Sequence, residues 1–162
     1  MVKNQKYLSV QSTQTRKAGE KLAEEVIKTP KKDKAIVIGL KGDLGGGKTT
    51  FLQGFAKGLG IKERVLSPTF VLLRRYRIPK TKSSANSKIQ TLKFKNFYHI
   101  DCYRLEKLEE ILDLDFKKVA SNPQNILAIE WSDKIEKILP PGTIRINLEF
   151  ISKNKRKITI NI

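Results

Sequence analysis

Gly42, Asp43, Leu44, Gly45, Gly46, Gly47, Lys48 and Thr49 follow the order glycine, four residues, glycine, lysine, hydroxyl residue, the spacing of a loop that wraps a phosphate chain. Glycines let consecutive amide N–H groups turn toward one anion, and a helix starting at the lysine adds its positive end. Lys48 is long enough to reach outer phosphates, Thr49 offers a hydroxyl to Mg²⁺, and Thr50 stands next to an inner phosphate. A magnesium ion on such a loop needs a second acid at the end of a neighbouring strand. Glu130 closes the apolar run Ile126, Leu127, Ala128, Ile129 and meets that need. Trp131 either stacks near a nucleotide or fills core.

His99 and Asp101 are two residues apart, so on a strand they share a face, with Asp101 placed at the strand end to orient the water that attacks a terminal phosphate. His99 itself reads as a satisfied strand histidine, since the chain holds no second histidine to share a metal. Arg104 either pairs with a carboxylate or touches phosphate. Ser67, Pro68, Thr69 and Phe70 lead into a hairpin, where hydroxyls are placed to sense a terminal phosphate, although by composition they are a turn. Cys102 is the sole cysteine, which excludes an internal disulfide and a zinc site built on several thiolates. It reads as a small buried strand residue.

These groups need a scaffold, and the apolar pattern supplies one. Ser12 or Thr13 is expected to cap a helix carrying Ala18, Leu22, Ala23 and Val26 and stopping before Pro30. The run 34–40 leaves no polar face, as expected of a strand buried on both sides. After the glycine turn, Phe51, Leu52, Phe55, Ala56 and Leu59 mark a second helix, ended by Gly58 and Gly60. Runs 70–78 and 94–101 read as a hairpin whose tip, 79–93, is a mobile Lys/Ser/Asn insertion. Leu105, Leu108, Ile111 and Leu112 fall on one face of an expected helix over 105–115. After Pro140, Pro141 and Gly142, alternation at Ile144, Ile146, Leu148 and Phe150, then at Ile158, Ile160 and Ile162, predicts an antiparallel C-terminal pair. The whole is an α/β fold: a mixed sheet between helical layers.

At 162 residues the chain is the size of one domain, 1–162. No apolar stretch approaches the 18 or so residues of a membrane span, and no secretory signal opens the chain, so a cytoplasmic protein without a membrane role is expected. The formal charge is +17, which attracts anions. Only eight of the 33 cations are arginine. Lysines scattered along the whole chain suggest coding bias before a dedicated nucleic-acid surface, which would cluster arginine with stacking aromatics.

The glycine loop followed by Thr50 and Phe51, then Ser67-Pro68-Thr69-Phe70, then His99-Ile100-Asp101-Cys102-Tyr103-Arg104-Leu105, then Ile129-Glu130-Trp131, resembles the TsaE (YjeE) family over nearly the whole chain. The resemblance implies a P-loop NTPase-like three-layer fold and an ATPase that uses ATP and Mg²⁺. It also implies the partners TsaB and TsaD, with tRNA met through that complex during threonylcarbamoyladenosine formation at adenosine 37. By motif match it carries Lys48 and Thr49 over as phosphate and magnesium contacts, Glu130 as the second magnesium contact, and Asp101 as a hydrolysis residue. Thr15 and Arg156 match family residues near the nucleotide. Gly46 stands where alanine is commoner, a change expected to loosen the empty loop, and the 79–93 insertion is longer than usual. A small-molecule kinase lacks support in the absence of an arginine-rich lid segment. A basic RNA-binding module would bind tRNA alone, with steep salt dependence.

Overall fold

The computed structural model describes residues 3–30, 32–67, 72–80 and 93–162. In chain order these form β1 (Gln5–Ser9), α1 (Ser12–Lys28), β2 (Ile36–Lys41), α2 (Lys48–Gly58), β3 (Leu73–Arg77) and β4 (Asn96–Asp101). There follow α3 (Leu108–Leu112), α4 (Phe116–Ser121), β5 (Asn125–Glu130), a 3₁₀ segment (Ser132–Ile138), β6 (Ile144–Phe150) and β7 (Arg156–Asn161). Among the described residues the strands make one seven-stranded sheet in the order β1-β7-β6-β2-β5-β4-β3. β2 runs parallel to β5 and β6, and β4 runs parallel to β5. The pairs β6–β7, β1–β7 and β3–β4 are antiparallel, so the mixed sheet with its antiparallel C-terminal pair is present as expected.

Alternation along the strands divides their side chains between two cores. Ile38, Leu40, Ala128 and Phe97 pack beneath α1 and α2, against Leu22 and Phe55. Val37, Leu127, Ile129 and Ile100 face the other way, against Ile111 of α3, Phe116 of α4 and Ile135 of the 3₁₀ segment. Covered on both faces, β2 and β5 have no polar side to show, which is why their sequences read as unbroken apolar runs. The helices α1 and α2 meet at glycines: a Cβ on Gly54 would stand 1.9 Å from the Arg16 carbonyl oxygen, and one on Gly19 would stand 2.2 Å from that of Phe51.

The structure corrects several local expectations. The α1 N-cap is Gln11, in extended backbone, and Ser12 already lies within the helix. The turn is closed instead by Gln14, whose side-chain oxygen accepts the Val10 N–H at 2.7 Å. The end of the second helix falls where expected: Gly58 is the last residue of α2, and the left-handed turn past it falls at Gly60, φ 85°. The expected helix over 105–115 shortens to α3: Lys107 is extended before its start, and Asp115, with a left-handed φ of 56°, begins α4 in a new direction. Leu112 is accordingly exposed. Cys102 is buried, one residue beyond β4. β1 was not anticipated; among the described residues it pairs only with β7, at the sheet edge. The hairpin of β3 and β4 is formed, while most of its tip, 81–92, and residues 68–71 fall outside the described residues.

Candidate functional site

The chain leaves β2 at Lys41, turns through the glycine loop, and enters α2 at Lys48. Gly42 has φ 140°, and a Cβ there would come within 2.2 Å of the Leu148 carbonyl oxygen on β6. Both facts require glycine. The Gly46 N–H closes the turn onto the Asp43 carbonyl at 2.9 Å, and the Phe51 N–H bonds the Gly47 carbonyl at 2.8 Å. On the other flank, Arg156 of β7 donates from Nε to the Gly45 carbonyl at 3.1 Å and lies over the Phe150 ring at 4.5 Å. The loop is therefore braced from the C-terminal strands.

Lys48 is folded back into the loop. Its ammonium donates to the Gly42 carbonyl at 2.5 Å and the Asp43 carbonyl at 2.9 Å, and sits 3.8 Å from the centroid of the Trp131 ring, within the range of a cation–π contact. Burial lowers its pKa from the usual lysine value, opposed chiefly by the charges of Glu130 and Asp101. One strand over, the β2–β5 register sets Leu40 beside Glu130 and the β4–β5 register sets Asp101 beside Glu130. The carboxyl ends of parallel strands thus gather both acids below the loop, where ligands settle in open α/β sheets.

The Thr49 hydroxyl lies 3.0 and 3.1 Å from the two carboxylate oxygens of buried Glu130. Donating its hydrogen to the carboxylate leaves the threonine oxygen's lone pairs for a cation. Two hard oxygen donors suit Mg²⁺, which is commonly held by one or two protein groups together with substrate phosphates. Asp101 accepts from the Tyr103 N–H at 3.0 Å and from the Ser67 hydroxyl. His99 is fully buried and its Nε2 bonds Glu130 Oε1 at 2.9 Å. Its Nδ1 has no partner among the described residues, at a cost of about 1–3 kcal/mol for such an atom. Next to Asp101, burial pushes the Cys102 thiol up to about 12, so it does not act as a thiolate near neutrality.

A cleft of about 640 Å³ collects Leu44, Gly45, Gly46, Gly47, Lys48, Thr49, Thr50, Asp101, Glu130 and Trp131, all expected from the sequence, together with Ser67 and Arg104. A smaller cleft of about 220 Å³ shares Gly45, Gly47 and Thr50 with it and contains Thr15 and Arg156. The Thr15 hydroxyl is paired with that of Ser9 at 2.7 Å. Asp43 lines neither cleft and enters through its carbonyl. Tyr103 was not foreseen: it lines the larger cleft and its ring lies 5.1 Å from that of Trp131. Its place next to the Asp101 strand end was the available signal.

A central strand, glycine loop and helix, with an acid at the end of the adjacent strand and helices on both sheet faces, define a P-loop NTPase-like α/β fold. The family model for threonylcarbamoyl adenosine biosynthesis protein TsaE matches residues 9–158. The chain belongs to this family, which serves tRNA threonylcarbamoyladenosine biosynthesis. It is 36% identical over 126 residues to the TsaE protein of Rickettsia prowazekii, covering 77% of this chain and 76% of that protein. With the TsaE protein of Bacillus subtilis it shares 38% identity over 123 residues, 76% of this chain and 67% of the relative. The crystal structure of Bacillus subtilis YdiB superposes with a TM-score of 0.67 at 29% identity, covering 99% of this chain and 86% of that one. Among the described residues, no helix is long and apolar enough to cross a membrane.

Proposed function

We propose that this chain binds ATP with Mg²⁺ in the larger cleft and hydrolyses it as the energy-coupling member of a cytoplasmic assembly with TsaB and TsaD that modifies adenosine 37 of tRNA. The contact between the Thr49 hydroxyl and the Glu130 carboxylate, at the mouth of the glycine loop, carries this reading. Loop amides and the start of α2 receive the phosphates. Lys48 exchanges the Gly42 and Asp43 carbonyls for phosphate oxygens, and the Trp131 face keeps its ammonium close to that path. Thr15 and Arg156, in the adjoining cleft, take the nucleoside end.

When bound, Mg²⁺ would offset the phosphate charge. Thr49 and Glu130 hold it. Asp101 orients the attacking water through a spare lone pair of its carboxylate, whose oxygens already accept from the Tyr103 N–H and the Ser67 hydroxyl.

Hydrolysis measured with ATP and with GTP, with and without TsaB and TsaD, tests the reading. ATP turnover that rises on adding the partners is expected, and Thr49→Ala or Glu130→Ala should lower it by about 100-fold. Unchanged magnesium-dependent turnover in both variants would overturn the assignment of the metal site.

A further inference from the structure

Glu130 has one more rotatable bond than an aspartate would have in its place, so presenting its carboxylate in one orientation requires a further restraint. Thr49 does not supply it, because its hydroxyl lies almost equally near both oxygens, at 3.0 and 3.1 Å. His99 does distinguish them: its Nε2 bonds Oε1 at 2.9 Å. The β4–β5 register pairs His99 with Ala128 and Asp101 with Glu130, so the imidazole lies on the same sheet face as the carboxylate, one step back along the neighbouring strand. Imidazole and carboxylate are both buried, out of competition with solvent.

We infer that His99 is a positioning residue for the metal site: by engaging Oε1 it fixes the carboxylate plane and leaves Oε2 for the cation. This rests on the reading of Thr49 and Glu130 as the Mg²⁺ donors. Packing alone does not account for an imidazole here. Nδ1 is buried without a partner among the described residues, and an aliphatic side chain would fill the space with no stranded polar atom. What the imidazole adds is the bond to Glu130. Hydrogen bonds of this kind to ligating groups are typically worth 10- to 100-fold in metal affinity.

The test uses Mn²⁺ as a spectroscopic substitute for Mg²⁺, titrated by electron paramagnetic resonance into the full chain saturated with a non-hydrolysable ATP analogue. His99→Leu, which has no donor, should weaken Mn²⁺ binding by about 10-fold or more, whereas His99→Gln, whose amide nitrogen reaches toward the Nε2 position, should stay within about threefold of wild type. Affinity for the metal-free analogue should be the same in all three proteins. Should His99→Leu not fold, as judged by circular dichroism, His99→Asn takes its place: its shorter amide falls at the Nδ1 position, away from Glu130, and should behave as the leucine variant does. Equal Mn²⁺ affinity in the wild-type, donorless and glutamine proteins would overturn the inference, as would a parallel loss of metal-free analogue binding. Failure of the proposed metal site itself gives a different result, with Thr49→Ala retaining wild-type Mn²⁺ affinity.

Discussion

Lys48 is held between two demands. In the folded chain its ammonium is buried against the Trp131 ring, and its pKa lies below the ordinary 10.5 of the unfolded chain. Between the folded and unfolded values the unfolded chain binds more protons, so stability rises with pH across that window and the lysine's stability deficit is fully present below it. ATP binding has the opposite sign, because phosphate oxygens require the charged form. Affinity for ATP should therefore begin to fall with rising pH before 10.5 is reached. Lys48→Arg, charged to beyond about 12, should bind ATP less well near neutrality but lose the alkaline decline. Calorimetric titrations from neutral pH to about 10 check this, and a wild-type affinity flat across that range would contradict it. Lys48, Thr49 and the loop were legible in sequence because their spacing is local. The contact of His99 with Glu130 was not, since it spans 31 positions and depends on which strand lies beside β5.

The elements hold the loop by close approach. Replacing a mid-helix glycine by alanine ordinarily favours the helix by up to about 1 kcal/mol. At Gly54 the new Cβ would stand 1.9 Å from the Arg16 carbonyl oxygen, a backbone atom that yields only if α1 and α2 separate. The clash should dominate, with a net loss of about 1–3 kcal/mol. Thermal unfolding of Gly54→Ala should then shift downward by roughly 2–12 °C. Mg·ATP affinity should fall as well, because α2 carries Lys48 and Thr49 at its start; an unshifted midpoint would contradict this packing. Helical spacing in α1 and α2 and the apolar runs of β2 and β5 made the central layers readable from sequence. β1 and the break at Asp115 were not, because the inward positions of β1 are Gln5, Tyr7 and Ser9 while its Leu8 is exposed, so no apolar alternation marks the strand. A left-handed residue, for its part, is set by the direction in which the next helix must pack.

For the whole molecule, the formal charge of +17 raises the question whether charge alone draws ATP in. Exposed charges more than about 8 Å apart are largely screened at physiological salt, whereas the loop amides and Lys48 act at contact. Neutralising Lys80, Lys82 and Lys88 together should therefore leave ATP affinity within about twofold at that salt; a large loss would place the insertion beside the nucleotide. Of these three only Lys80 lies within the described residues. The order of the sheet, with β2 central and its loop facing the ends of β4 and β5, brings residues from positions 44 to 131 into one cleft. The most direct test is an equilibrium titration of ATP into the isolated chain, with and without Mg²⁺, read by the fluorescence of its single tryptophan, Trp131, for the wild-type, Thr49→Ala and Glu130→Gln proteins. Saturable binding that is strengthened by Mg²⁺ in the wild type, with that strengthening lost in both variants, is the predicted result. Binding indifferent to Mg²⁺, or variants that respond to it as the wild type does, would contradict the proposed metal site.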